Sequence, residues 1–186
     1  MDPMERPPIR FTRTDYEQLP EHIHAELIEG DLVVIPAPTP WHERLGVRLH
    51  NALVRHLGED ADRRLLGSRM EISIRQEGEE SIIQPDLVVL PSDVAASGRD
   101  WKPPTPVWVA ETLSPSTAAR DRGVKLRLYA LAGVQEAWIV DPVAETIEVH
   151  DLERGRKRVF GPGAKVESRV VAGFSVDVAR LFAVDA

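Results

Sequence analysis

Apolar residues recur at every fourth position between Pro40 and Leu57, which is the spacing of one face of an α-helix. The positions concerned are Trp41, Leu45, Leu49, Leu53 and Leu57. Gly58 follows at once, and glycine is a common residue at the carboxyl end of a helix. The pattern therefore predicts an amphipathic helix over residues 40–57.

The chain before this helix shows a helix-start signal and a hairpin pattern. Thr14 and Glu17 have the spacing of a capping box, which predicts a short helix at this point. The stretch HAELIEGDLVVIP holds two short runs with apolar residues, one on each side of Gly30-Asp31. It predicts a β-hairpin that turns at Gly30-Asp31 and stops at Pro36.

Four apolar runs after the long helix predict the strands of a central sheet. They are RMEISIR (69–75), IIQPDLVVL (82–90), VWVAETL (107–113) and EAWIVDP (136–142). The run SPST (114–117) predicts a helix start, and this helix should continue to about Ala132 because Gly133 follows. A helix between two strands indicates a crossover, so we expect an α/β fold whose mixed central sheet is flanked by helices.

The remainder of the chain is rich in strand patterns. Three runs predict further strands and a short terminal helix, which form a carboxyl-terminal extension of the domain. They are TIEVHDL, KRVF and FSVDVARLF. A proline-rich loop over 91–106 separates two of the central strands. Loops of this length in compact domains are commonly lids or binding loops.

Length and composition narrow the classes of protein. The 186 residues suit one domain with its own core, and we expect a flexible arm over 1–12 followed by a single domain over 13–186. Without cysteine the chain has no disulfide framework, no thiolate metal site and no cysteine nucleophile. The sequence shows no signal peptide and no apolar run of the ~18 residues that span a membrane. A cytoplasmic protein without membrane association is therefore expected.

Two acidic residues interrupt otherwise apolar strand patterns. Because side chains alternate across a strand, Glu111 shares a face with valines, and Asp86 shares one with isoleucine and leucine. A carboxylate in such a place is costly unless it meets a cation or strong hydrogen-bond donors. If the strands are neighbours the two acids converge, and Mg²⁺ commonly binds through one or two carboxylates. The alternative for each acid is an ordinary salt bridge or a cap on a loop.

Lys125 lies on the helix that follows the second acid. It shares a helical face with Leu128 and Ala132, which indicates that this face looks toward the sheet and brings the ammonium group near Glu111. There it could orient an attacking water and offset negative charge on a phosphate. The alternative is an ordinary Asp121–Lys125 helix pair, worth about 0.3–0.5 kcal/mol. The spacing supports both equally.

Other residues offer weaker signals. Arg120, Arg122 and Arg69 could contact phosphates, although exposed arginines more often form a solvated face. The net charge of -7 argues against broad, non-specific adhesion to nucleic acid.

His42, at the start of the long helix, could contact a ligand, but a single histidine in this position is more often structural. The chain lacks HExxH, GxSxG, P-loop and GxGxxG motifs, which argues against zinc hydrolases, esterases, NTPases and dinucleotide-binding proteins.

Taken in order, several motifs resemble one known family. Over about residues 15–182 the chain resembles the Uma-type restriction endonuclease domain family of the PD-(D/E)XK nuclease superfamily. The runs that carry the resemblance are AELIEG, IIQPDLVVL, VAETLSPST and RDRGVKLRLYALAGVQEAWIVDP. The resemblance implies a restriction-endonuclease-like αβββαβ core and a Mg²⁺-dependent endonuclease, for which Mn²⁺ could substitute. Asp86 and Glu111 would be metal ligands. Glu26 would be a third ligand or support, preferred to Glu29 only because it matches the family's early acidic position.

The chain departs from the superfamily pattern at one position. A lysine is expected two residues after the second acid, but Leu113 stands there. The resemblance implies that the lysine comes from the next helix, where Lys125 fits. Further family-typical positions are interpreted as support or packing; they are His42, Ser114, Ser116, Asp121 and Tyr129.

Two functions therefore compete. The first is an endonuclease acting on nucleic acid, with DNA as the expected substrate; Asp86, Glu111, Lys125 and Glu26 would be its catalytic set. The second is a catalytically inactive homo-oligomeric or DNA-binding module on the same fold. The acidic net charge and the displaced lysine favour the second, whereas the retention of all four residues favours the first. A homodimer is the expected assembly because two-fold dimers are the most common oligomers.

Overall fold

The computed structural model describes residues 9–67, 70–76, 78–94 and 101–184. The chain divides into two compact units, each with its own sheet. The first unit consists of Met1–Ala37 and Glu71–Ile83, and the second of Pro38–Met70 and Gln84–Ala186.

The helices and strands alternate irregularly along the chain. The helices are α1 (Arg13–Glu17), α2 (Pro40–Leu57), α3 (Ala61–Arg64), α4 (Ala118–Arg120), α5 (Leu126–Ala132) and α6 (Val178–Phe182). A 3₁₀-turn covers Gly58–Asp60, and a π-helix covers Asp121–Lys125. The strands are β1 (Ala25–Ile28), β2 (Asp31–Val34), β3 (Leu65–Gly67), β4 (Ile72–Gln76), β5 (Glu79–Ile83), β6 (Leu87–Val89), β7 (Trp108–Thr112), β8 (Glu136–Asp141), β9 (Thr146–Asp151), β10 (Arg156–Phe160), β11 (Lys165–Glu167) and β12 (Ser175–Asp177).

In the first unit the described strands form an antiparallel sheet in the order β2-β1-β5-β4. The predicted hairpin is present as β1 and β2, but its turn residues are Glu29 and Gly30, with φ of 50° and 82°. Two successive residues with positive φ are what a two-residue type I′ turn requires. The turn therefore lies one residue earlier than predicted.

The short helix α1 begins earlier than its predicted capping box. The Thr12 hydroxyl accepts a hydrogen bond from the Asp15 backbone N–H at 3.3 Å, and the Asp15 carboxylate accepts one from the Thr12 N–H at 2.7 Å. The capping box is thus Thr12–Asp15, and the predicted Thr14–Glu17 box is wrong. Of the predicted arm over 1–12, residues 1–8 lie outside the described residues.

In the second unit the described strands form a sheet in the order β10-β9-β8-β7-β6-β3, with β11 and β12 paired separately. β7 and β8 are parallel, whereas the other neighbours are antiparallel, so the central sheet is mixed as predicted. The helical stretch from Ala118 to Ala132 connects the two parallel strands. The series α2, β3, β6, β7, helix, β8 is the αβββαβ core, and β9 to β12 with α6 form the strand-rich carboxyl-terminal region.

Two strand predictions are wrong in detail. The run IIQPDLVVL is two strands, because β5 ends at Ile83 in the first unit and β6 begins at Leu87 in the second. Pro85 has no backbone N–H to donate to a sheet, which favours a break at this point. The run RMEISIR provides β4 to the first unit's sheet. The central sheet instead takes Leu65–Gly67, which pairs with β6, as its first strand.

Helix α2 spans the predicted range because its end signals are local. The Thr39 hydroxyl accepts a hydrogen bond from the His42 backbone N–H at 3.2 Å, and Pro40 occupies the first turn. At the other end Gly58 adopts φ 56°, which a residue with a side chain rarely tolerates. The predicted range and the predicted end at Gly58 are therefore confirmed, and the Thr39 cap is an addition from the structure.

The core of the second unit lies between α2 and one face of the six-stranded sheet. The buried leucines of α2 are Leu45, Leu49 and Leu53. They pack with Trp108 and Trp138 of the parallel strands, whose ring centroids are 5.4 Å apart in an edge-on arrangement. In the part of the chain that the structure describes, no helix is both long and apolar enough to cross a membrane.

Candidate active site

Buried carboxylates lie on the face of the central sheet opposite this core. Glu111 of β7 is paired with Ile139 of β8, which is paired with Glu148 of β9. Cross-strand partners point to the same side of a sheet, so these three residues form one row on one face. Glu111 and Glu148 are each 4% exposed. The stretch from α4 to α5 covers this face, and its side chains contact both carboxylates.

Lys125 forms an ion pair with Glu111, which is one of the two contacts that the helical spacing supported. Its Nζ lies 2.5 Å from Oε1 of Glu111, and both side chains are buried. The same Nζ lies 3.9 Å from Oδ1 of Asp121 and donates to the Gln84 carbonyl at 3.4 Å. Removing one partner of a buried ion pair typically costs about 3–5 kcal/mol because it leaves an uncompensated charge. The Asp121–Lys125 helix pair therefore exists, but the shorter contact joins Lys125 to the acid on the strand.

The backbone that carries Lys125 is a π-helix over Asp121–Lys125, between α4 and α5. Such wide turns are rare and occur frequently at functional sites. Asp121 and Lys125, at its two ends, are both buried. The sequence predicted one regular helix here, because an extra residue in a turn leaves no compositional mark.

Tyr129 is the second donor to Glu111. Its hydroxyl donates a hydrogen bond to Oε1, the same oxygen that Lys125 contacts, and the tyrosine is fully buried. Nζ of Lys125 also lies 6.0 Å from the centroid of the Tyr129 ring. Tyr129 was expected to support or pack the site, and this hydrogen bond gives it a direct contact with the acid.

Asp86 lies in the segment between β5 and β6 rather than within a strand. Its Oδ2 accepts a hydrogen bond from the Thr112 backbone N–H at 2.7 Å. The antiparallel register pairs Leu87 with Ala110, so Asp86 reaches the end of β7 at which Glu111 lies. The Asp86 side chain is 30% exposed, whereas Glu111 is buried, so the two carboxylates differ in their access to solvent.

His42 is the neighbour of Asp86 from α2. Its Nε2 lies 3.5 Å from Oδ2 of Asp86. Burial lowers the pKa of His42, but the hydrogen bond and negative charge of Asp86 outweigh it and hold that pKa above its ordinary value. Nδ1 is buried and has no hydrogen-bond partner among the residues described. The sequence matched His42 to a supporting position but gave no sign that it would contact Asp86.

The donor set at this end of β7 suits a hard cation. Asp86 and Glu111 offer carboxylate oxygens, and Mg²⁺ prefers oxygen ligands while retaining several waters. Across the described ranges, no three His, Cys, Asp or Glu side chains form a group that could hold a metal ion. Asp86 and Glu111 could supply two of the oxygen ligands of such a cation, and water or phosphate oxygens could supply others.

Comparison with known proteins identifies the family. The family model Uma2, described as "Putative restriction endonuclease", matches residues 13–179. The chain belongs to the Uma2 family. A solved structure described as a "putative nuclease belonging to DUF820" from Anabaena variabilis matches with a TM-score of 0.74 and 22% identity, covering 92% of this chain and 97% of that one. This likeness shows the fold. No curated protein matches the chain.

The early acids of this Uma2 chain lie in the first unit. Glu26 lies in β1 and is buried. Glu29 occupies the hairpin turn, and its backbone N–H donates to the Ser81 hydroxyl at 3.0 Å. The roles of Glu26 as a third ligand or support, and its preference over Glu29, stay predictions.

The predicted nucleic-acid contacts of the Uma2 chain differ in their surroundings. Nε of Arg122 donates to Oε1 of Glu148 at 2.8 Å, and Nη2 donates to Oδ2 of Asp141 at 2.6 Å. Nε of Arg120 is buried and has no hydrogen-bond partner within the described part of the chain. Arg69 lies outside the described residues. Phosphate contact by these three arginines stays a prediction.

Proposed function

We propose that this protein is a metal-dependent endonuclease that hydrolyses phosphodiester bonds in DNA. The observation that carries the proposal is the buried Lys125–Glu111 ion pair at the end of β7 that Asp86 also reaches. Membership of the Uma2 family supports a nuclease-like function. Mg²⁺ is the proposed cofactor, with Mn²⁺ as a substitute.

In this proposal Asp86 and Glu111 hold the cation, and Glu26 is a third ligand or support. A bound divalent cation polarises a phosphoryl oxygen and lowers the pKa of a coordinated water. The protein's own part is to fix its oxygens. The Thr112 N–H holds one oxygen of Asp86, while Lys125 and Tyr129 both hold Oε1 of Glu111. These contacts hold both carboxylates in fixed orientations before a cation would bind.

Lys125 is proposed to act on the charge that develops during hydrolysis. Its ammonium group is buried, and a charge acts more strongly in a site from which water is excluded. In that place it orients the attacking water and offsets negative charge on the phosphate. Removal of one such stabilising donor typically lowers kcat by about 10²–10³-fold.

A catalytically inactive homo-oligomeric or DNA-binding module is the second candidate. It is favoured by the short contact itself, because Lys125 neutralises the carboxylate to which a cation would bind. The net charge of -7 also favours a protein without broad affinity for DNA. Metal-dependent cleavage decides between the two.

The experiment that tests the proposal is nicking of supercoiled plasmid with Mg²⁺, with Mn²⁺ and with chelator. We expect the wild type to nick with either metal, and Asp86→Asn and Lys125→Met to lose this activity. Asp93→Asn and Lys165→Met are matched controls, because both residues are exposed. A single-stranded RNA substrate in parallel tests the preference for DNA.

The outcomes separate the candidates. Equal nicking by all five proteins would indicate a contaminant and end the catalytic proposal. DNA retention at moderate salt, without metal and without cleavage, would indicate the binding module instead. Thermal unfolding of each variant tests whether a loss of nicking reflects a loss of the folded structure.

A further inference from the structure

Arg122 joins the π-helix to two strands of the central sheet. It lies three residues before Lys125, on the same π-helix. One guanidinium nitrogen donates to Glu148 of β9, and another donates to Asp141 at the end of β8. A guanidinium group presents its donors in a rigid planar fork, so contact with two carboxylates fixes it more firmly than a single ion pair would.

The two cationic side chains of the π-helix reach the same row of the sheet. Lys125 contacts Glu111, and Arg122 contacts Glu148, which lies in the same cross-strand row two strands away. Neighbouring strands are about 4.8 Å apart, so these two anchor points are about 10 Å apart along the row. A segment held at two points that far apart cannot rotate or slide without breaking one of the contacts.

Gly123, at the centre of the π-helix, has no side chain that could hold the segment in place. Glycine is also less favourable than alanine in a helix interior. The side-chain contacts of Arg122 and Lys125 are therefore among those that fix the location of the π-helix.

The acidic partners of Arg122 are themselves fixed. Oε2 of Glu148 lies 2.8 Å from Nζ of Lys157 and 3.2 Å from Nε2 of His150. Oδ1 of Asp141 accepts hydrogen bonds at 2.9 Å from the two N–H groups of the turn that follows β8. Burial raises the pKa of both acids, but these hydrogen bonds and Arg122 outweigh it and hold each pKa below its ordinary value. Both acids are thus ionised at neutral pH.

We propose that Arg122 is a positioning residue that anchors the π-helix so that Lys125 remains on Glu111. This inference rests on the proposed nuclease function, and it deepens it by assigning to Arg122 an action through Lys125. Phosphate contact by Arg122 is the alternative that the first test distinguishes from it.

The first test compares Arg122→Ala, Arg122→Lys and Arg156→Ala in plasmid nicking. Arg156 is an exposed arginine on β10 and serves as the control. We expect Arg122→Ala to lower kcat at least tenfold while KM and the salt dependence of DNA binding stay unchanged. Arg122→Lys should recover activity only in part, because an ammonium group cannot bind both carboxylates as a fork does. A weaker salt dependence in Arg122→Ala would overturn the proposal, because it would indicate a lost phosphate contact.

The second test reads the position of Lys125 without any cleavage. The sequence holds lysine only at 102, 125, 157 and 165, so ¹³C labelling of the lysine side chains gives few NMR signals. Lys125 is buried, whereas the other three are exposed, and Lys125→Met assigns its signal. We expect Arg122→Ala to move that signal toward those of the exposed lysines, with Arg156→Ala leaving it in place.

The two tests fail in different ways. An unmoved Lys125 signal in a folded Arg122→Ala variant would overturn the anchoring role, whatever the nicking rate. If the wild type does not nick at all but the signal moves, the anchoring role stands and the nuclease proposal fails. A cooperative thermal unfolding transition, as in the wild type, is the control that Arg122→Ala is folded.

Discussion

At the scale of single residues, Glu111 is held by two different donors on one oxygen. Lys125 supplies charge, and Tyr129 supplies an uncharged hydroxyl. The two contacts differ in what their loss would cost, since the charge can affect catalysis directly while the hydroxyl can only orient the acid. Substitution of the tyrosine separates orientation from charge.

Tyr129→Phe should reduce both stability and activity moderately. It removes one hydrogen bond to a buried carboxylate and leaves the ring in place, which typically costs about 1.5–3 kcal/mol for a charged acceptor. We expect a loss of about tenfold in kcat, smaller than that of Lys125→Met, because the charge is kept. Chemical denaturation and plasmid nicking measure the two effects.

The other tyrosine of the chain is the matched control. The Tyr16 hydroxyl also donates to a glutamate, Oε1 of Glu71 at 2.7 Å, but at an exposed site of the first unit. Tyr16→Phe should change stability by less than Tyr129→Phe and leave nicking unchanged. Equal effects of the two substitutions would contradict the role given to Tyr129.

At the scale of helices and strands, the two ends of the stretch from α4 to α5 are fixed by different means. Its π-helix is held by the ion pairs of Arg122 and Lys125, whereas its carboxyl end stops at Gly133, whose φ is 91°. A Cβ at Gly133 would meet nothing within 4 Å, so only the backbone conformation requires glycine there. Gly46, inside α2, has the same open surroundings without the positive φ.

The substitutions Gly133→Ala and Gly46→Ala should therefore have opposite signs. Alanine at 133 is expected to destabilise by about 1 kcal/mol, since a side chain disfavours the left-handed conformation. Alanine at 46 is expected to stabilise by about 0.5–1 kcal/mol, as in other helix interiors. Urea denaturation of both variants measures the difference, and destabilisation by both would contradict the explanation.

The sheet row that contains Glu148 should make stability depend on pH. The pKa of Glu148 is lowered from 4.5, since hydrogen bonds from Lys157, Arg122 and His150 outweigh burial, which raises it. Because the pKa is lower in the folded state, the ionised carboxylate stabilises the fold completely above about pH 4.5. This stabilisation is lost as the pH falls through the pKa of the folded state. We expect Glu148→Gln to lower stability at neutral pH and to flatten its decline in acid.

Thermal unfolding between about pH 6 and pH 3 measures this decline. Glu167→Gln is the control, because Glu167 is exposed and its ion pair with Lys165 is long, at 3.9 Å. It should leave the pH profile as in the wild type. A Glu148→Gln profile as steep as that of the wild type would show that Glu148 contributes nothing to acid lability.

Sequence reasoning succeeded where the determining signals were local. The bounds of α2 follow from the fourfold apolar spacing between Pro40 and Leu57 and from Gly58 directly after it. The contact between Lys125 and Glu111 was one of two contacts that the helical spacing supported equally. Sequence reasoning failed where the order of strands in the sheet decides a contact. Arg122 and Glu148 are 26 residues apart in the chain, and only the sheet brings them together. The three-residue strand Leu65–Gly67 was too short to show any alternation.

At the scale of the whole molecule, the proposed cofactor links binding to stability. A ligand that binds only the folded state raises stability by about 2.7 kcal/mol at a hundredfold excess over its Kd. Added Mg²⁺ or Mn²⁺ should therefore raise the unfolding temperature of the wild type. Asp86→Asn should lose this rise, and Asp93→Asn should keep it. Differential scanning fluorimetry measures both, and an equal rise in the two variants would exclude Asp86 as a ligand.

The assembly and the domain bounds are also properties of the whole molecule. The homodimer and the single domain over 13–186 stay predictions. Light scattering after size exclusion distinguishes a dimer from a monomer. The family match over residues 13–179 extends across both units of the chain.

The first unit is assembled from two separate pieces of chain, with α2 and β3 lying between them in sequence. No single cleavage of the backbone can therefore release either unit whole. Deleting the leading piece would strip β1 away from β5 and leave that strand's N–H and C=O groups open to other chains. Shortened versions of this protein that begin at the long helix should precipitate, although they retain Asp86, Glu111 and Lys125.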